Sequence, residues 1–128
     1  MDIQIRRAYD PPHRGDGYRV LVDRVWPRGV SKADLELDEW RKEIAPSTRL
    51  RQWFGHDPER WREFQERYFA ELEGKQDSVE ELVKRARQGR VTLVYGARDP
   101  DHNQAVALCH YLKRRSAGRQ RRRPAASK

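Results

Sequence analysis

One cysteine, Cys109, is all the chain has, so neither an intramolecular disulfide nor a multi-cysteine zinc site is open to it. Its histidines, His13, His56, His102 and His110, include no pair four residues apart. That argues against a structural zinc and leaves only carboxylates as metal ligands. No metal and no cofactor is therefore expected. No apolar run approaches the roughly 18 residues of a membrane span, and residues 1–6 carry no apolar signal region. Together with the lone cysteine this predicts a cytoplasmic protein with no membrane partner. A glycine-rich phosphate loop is missing too: Gly15-Asp16-Gly17 lacks a third glycine and precedes a strand instead of following one.

What is present is charge and aromatic bulk. Apolar residues make up 36% of the 128 and charged residues 38%, yet four Trp, five Tyr and three Phe supply large side chains for one small core. The formal net charge is +8, the first hint of a nucleic-acid partner, but it is unevenly placed. Residues 116–128 hold Arg119, Arg121, Arg122, Arg123 and Lys128 and no acid, which is five of the eight charges and leaves +3 for residues 1–115. With almost no apolar content, residues 116–128 read as a disordered basic tail. Such a tail is either a solvated extension or a source of salt-sensitive phosphate affinity for nucleic acid.

Periodicity orders the rest. Ile3 and Ile5 alternate with polar neighbours in a first strand, and two prolines and two glycines make residues 9–17 a loop. Residues 18–22 form a buried second strand. Ser31, with Asp34 three positions on, caps a helical turn over residues 32–35. The segment from Leu35 to Pro46 fits neither period and reads as irregular or partly extended. Ser47 caps a short helix through Phe54, and Asp57-Pro58 opens a longer one that runs to Gly74. Ser78 is expected to cap a third helix ending at Gly89. Residues 91–95 form a central strand, and a last helix covers residues 102–115. Helices separating apolar strands predict a single compact three-layer α/β domain over residues 1–115, its small, mainly parallel sheet flanked by helices.

The string Gly17-Tyr18-Arg19-Val20-Leu21-Val22-Asp23-Arg24-Val25-Trp26-Pro27-Arg28-Gly29 stands out. Together with Trp40, Ala45-Pro46-Ser47, Leu50, Trp53-Phe54 and Thr92-Leu93-Val94-Tyr95, it resembles the bacterial YeaO-like proteins, a branch of domain-of-unknown-function family 488. The resemblance covers residues 3–114 and leaves the tail outside. It implies a compact α/β domain with no established activity. Other branches carry a Cys/His segment after the last strand. Here residues 96–103 keep His102 but have no cysteine, so thiol or metal chemistry is not carried over.

Ligands in open α/β sheets bind outside the carboxyl ends of the strands, which singles out two stretches. In the first, Arg24 and Arg28 offer guanidinium forks suited to carboxylate or phosphate oxygens. Trp26 either lines such a pocket or plugs the core. Asp23 is a general base, a metal ligand or a structural acceptor, and Arg24 is a ligand contact or the partner of a nearby acid. In the second stretch, Arg98 and Asn103 are candidate ligand contacts. Asp99 and His102 are candidate acid/base groups, although Asp99 or Asp101 also serves as a helix cap. Cys109 sits on the apolar stripe of the last helix, and Ser47 is explained by capping. Three functions follow: a module binding a small anionic ligand, a hydrolase or transferase acting on such an anion, or a nucleic-acid-associated protein using the tail. Oligomeric state is not fixed by these features.

Overall fold

The β-branched and aromatic run at residues 91–95 has no charged position to turn towards water, so it is stable only with cover on both faces. In the computed structural model, which describes residues 1–126 with side chains through residue 117, that run is the interior strand of the sheet. The elements are β1 (Ile3–Arg7), β2 (Tyr18–Leu21), α1 (Lys32–Leu35), β3 (Glu39–Trp40), α2 (Thr48–Phe54), α3 (Trp61–Glu73), α4 (Gln76–Gln88), β4 (Val91–Tyr95) and α5 (Gln104–Ala126). The four strands run in the order β1-β4-β2-β3 and all are parallel, with Leu93 opposite Ile5 on one side and Val20 on the other.

One face of the sheet, through Val20, Val22, Val91, Leu93 and Tyr95, buries the apolar stripes of α3, α4 and α5. Phe64, Tyr68 and Leu72 come from α3 and Leu82 and Val83 from α4, at the helical spacings that put them on single faces. The other face is covered more thinly. Leu21 and Val94 pack there with Ala8 and Leu35, roofed by Trp26, Val30, Leu37 and Trp40. The third layer is thus a one-turn helix and a tryptophan-bearing loop. Trp26 and Trp40 meet edge to face at 5.3 Å.

Towards the amino ends of the strands the same face turns polar. Asp16 and Arg19 are buried and joined at 2.6 Å. Asp16 also accepts from Gln4 Nε2, Arg6 Nε and the His13 N–H, while Arg19 donates twice to the Leu35 carbonyl. The Thr92 hydroxyl donates to the Asp16 carbonyl. Burial opposes ionisation of Asp16, but the His13 N–H and the Arg19 and Arg6 guanidinium groups outweigh it and hold the carboxyl below its usual range. Gly17 follows at φ +65°, and a Cβ there would lie 2.3 Å from the Arg90 carbonyl oxygen. Only glycine fits this crossing between β1 and β2.

Capping worked as the sequence implied at Ser31, whose Oγ accepts from Asp34 N, and at Ser47, whose Oγ accepts from Leu50 N. At Ser78 it did not. Helix α4 begins two residues earlier, at Gln76, whose side chain donates back to the Leu72 carbonyl and closes the turn from α3. Ser78 lies within the helix and its carbonyl and hydroxyl accept from Arg41. The cap of α5 is likewise neither Asp99 nor Asp101 but Asn103, whose Oδ1 accepts from the N–H groups of Ala105 and Val106. Ser116, assigned to the tail by sequence, is buried and accepts from Arg87. The side chains of residues 118–128 lie outside those described. Among the described residues no helix is long and apolar enough to cross a membrane.

Candidate functional site

Because β1, β4 and β2 are parallel neighbours, the turns after them open on the same edge of the sheet. They enclose a cleft of about 230 Å³. Tyr9 enters it after β1, residues 23–28 after β2, and Gly96 and Ala97 after β4. Pro46, Arg51 and His56 form the wall on the α2 side, and Gln104 closes it at the start of α5.

Asp23 is the only carboxylate on this lining. Its Oδ2 accepts from the Gly96 N–H at 2.8 Å and its Oδ1 from the Gln104 side chain. It therefore ties the end of β2 to the end of β4 and to α5. Gly96 permits this, since a Cβ there would lie 2.8 Å from Asp23 Oδ2. Burial pushes the Asp23 carboxyl up to about 6, against the opposing pull of the Gly96 N–H and of Arg51. The Asp23 carbonyl accepts from Trp40 Nε1, which fixes the backbone where the strand ends.

Three arginines share the cleft with that one acid. Arg24 pairs with no carboxylate among the described residues. It donates instead to the carbonyls of Pro46 and Ala45, at 3.0 and 3.2 Å, pinning the segment before α2. Arg28 and Arg51 are exposed, and neither side chain makes an ion pair or hydrogen bond with any described residue. The Arg28 carbonyl is held by the Tyr9 hydroxyl at 2.9 Å. Trp26 serves both roles read for it, lining the cleft while packing on Trp40, with its Nε1 bonded to the Val30 carbonyl. His56, just past the left-handed Gly55 that ends α2, itself has φ +57°, an uncommon conformation for a residue with a side chain.

The second stretch proposed from sequence lies apart from this lining. Arg98 is exposed and has no bonded partner among the described residues. Asn103 is buried in its capping role, its Nδ2 also donating to the Asp99 carbonyl. Asp99 accepts from the N–H groups of Asp101 and His102, and its other oxygen lies 2.8 Å from His102 Nδ1. The His102 ring meets Trp61 edge to face at 5.3 Å. The Asp101 N–H first, then the His102 side chain, holds Asp99 below the usual carboxylate range. None of Arg98, Asp99, His102 and Asn103 lines the cleft.

Arg51, His56, Gln104 and Tyr9 were not singled out by sequence. Arg51 and Gln104 lie on helices whose apolar stripes point elsewhere, and only the fold brings them to Asp23. The one signal was Gly55-His56 directly after a helix, a place where unusual backbone is to be expected. The lining contains no serine, threonine or cysteine. Cys109 is buried within α5, where burial pushes its thiol up. Ser47 is occupied by Glu71, which accepts from both its N–H and its hydroxyl. Among the described residues no three His, Cys, Asp or Glu side chains converge in a way that would hold a metal ion.

The family model DUF488-N3i, described as the inactive DUF488-N3 subclade, matches residues 2–128. The Escherichia coli protein named uncharacterized protein YeaO is 45% identical over 113 residues, covering 88% of this chain and 98% of that one. Uncharacterized proteins Rv3073c of Mycobacterium tuberculosis and Mb3100c of Mycobacterium bovis are each 39% identical over 113 residues, covering 88% of this chain and 95% of theirs. No solved structure matches the chain significantly.

Proposed function

Since the chain belongs to the DUF488-N3i family, described as inactive, we propose that it is a non-catalytic module binding a small phosphate- or carboxylate-bearing ligand in the cleft beside Asp23. The observation that carries this reading is the imbalance of charge: Arg24, Arg28 and Arg51 face one carboxylate, and two of the three arginines have no bonded partner among the described residues. Guanidinium groups left unpaired beside a concave surface are suited to oxyanions. A volume of about 230 Å³ favours a ligand smaller than a dinucleotide. The family description and a lining without a serine, threonine or cysteine favour binding over turnover. Cytoplasmic residence belongs to the same proposal and rests on the lone buried cysteine.

The test is calorimetric titration of the full chain with inorganic phosphate and with a small dicarboxylate, repeated on Arg28→Ala and Arg51→Ala. Loss of one charge-assisted contact predicts about tenfold weaker binding in each variant. Absence of binding to the parent chain, or unchanged affinity in both variants, refutes the reading. Turnover of a phosphate ester, abolished in Asp23→Asn with affinity retained, would establish the hydrolase or transferase alternative instead.

A further inference from the structure

We infer that Asp23 makes the cleft selective for an oxyanion that still carries a proton, a hydrogen phosphate or a singly protonated phosphate ester, and sets it against sulfate. This rests on the anion-binding reading above and names the ligand's chemistry within it. Arg24, Arg28 and Arg51 have only hydrogens to offer, so any tetrahedral oxyanion satisfies them equally. Asp23 is the single carboxylate on the wall, anchored by the Gly96 N–H and by Gln104. Each of its oxygens takes one donor and retains a further lone pair. An oxyanion held by the arginines therefore presents one oxygen to an acceptor. If that oxygen bears a proton, it donates to the carboxylate. If it does not, two lone pairs face each other in a partly desolvated site, which is costly. Phosphate keeps one proton throughout the neutral range and sulfate keeps none.

The groups facing Asp23 shape its response to pH. Arg24 and Arg28 lie on its own turn, Arg51 and His56 on the α2 side, Tyr9 after β1, Gln104 on α5 and the buried Tyr68 on α3. Burial raises the Asp23 carboxyl to about 6, and once protonated it becomes a donor that accepts sulfate as well. The other charges on the wall draw both anions alike. The ratio of the two affinities, and not either affinity alone, therefore reports on Asp23.

The experiment is titration of the full chain with inorganic phosphate and with sodium sulfate at about pH 7.5 and about pH 5, on the parent chain and on Asp23→Asn. At the higher pH the parent should bind phosphate about tenfold more tightly than sulfate, or better, the ratio one hydrogen bond to a charged group supplies. At the lower pH the ratio should narrow through a gain in sulfate affinity. Asn, whose amide donates, should bring the two anions level at both values. Equal binding by the parent at the higher pH, or an unchanged ratio in Asp23→Asn, overturns the inference and leaves the anion cleft intact. If the parent binds neither anion, the cleft reading falls with it. The parent chain's own pH response tests the point without any variant.

Discussion

Asp23 is held where its charge is unwelcome. Its folded pKa of about 6 lies above the ordinary 3.8, so the folded chain binds more protons than the unfolded chain between those values. The contribution of this group is then fully present below about pH 4 and is lost as pH rises through about 6. Asp23→Asn removes that dependence. Denaturant unfolding should show the variant gaining about 1–3 kcal/mol on the parent between about pH 4 and about pH 7.5, and a flat difference would contradict the desolvation account. Tyr68 makes the opposite case. It is fully buried, and its hydroxyl donates to the Ile44 carbonyl at 2.7 Å. Tyr68→Phe leaves that acceptor without its donor and should cost about 1–3 kcal/mol, readable as a shifted denaturation midpoint.

At the level of elements, Asp16 fastens the turn before β2 to three strands, through Gln4 and Arg6 on β1, Arg19 on β2 and the Thr92 hydroxyl on β4. Asp16→Ala strands a buried guanidinium and should cost about 3–5 kcal/mol, with an undiminished thermal midpoint as the refuting result. The single glycine at the adjacent crossing belongs to the same unit, since Gly17→Ala sets a methyl against the Arg90 carbonyl. Much of this layer was legible from local chemistry. Ser31 and Ser47 announced their helices because a cap needs only residues a turn apart, whereas Asp57 caps a 3-10 turn over Pro58–Arg60 that leads into α3 at Trp61. The run at 91–95 announced an interior strand because nothing else buries it. Strand β3 was legible only as part of a partly extended segment, since its place in the sheet depends on Val20 and Leu21 pairing with Glu39 and Trp40. Asn103 as the cap in place of Asp99 or Asp101 was not legible, since packing of Ala105 and Leu108 against the sheet decides where α5 begins. The cleft divided the same way. Asp23 to Arg28 were visible as a strand end, whereas Arg51, His56 and Gln104 reach it from remote segments. Arg98 and Asn103 were assigned to it because they follow the end of β4, but only Gly96 and Ala97 of that turn reach the lining.

For the whole molecule, the cleft draws its lining from residues between Tyr9 and Gln104, while the densest positive charge lies after residue 117. Deleting residues 118–128 should therefore leave phosphate affinity within about twofold, while any binding to a polyanion becomes weaker and less salt-dependent. A large loss of phosphate binding would mean that the two regions act together. The strand order has a consequence of a different kind. β4 lies between β1 and β2 yet follows them by some seventy residues or more in the chain. As the polypeptide leaves the ribosome, its first two strands emerge with the place between them vacant, and β1 has no strand to pair with until residues 91–95 have cleared the exit tunnel. Some ninety residues of this domain are thus synthesised before the sheet that organises its core can form.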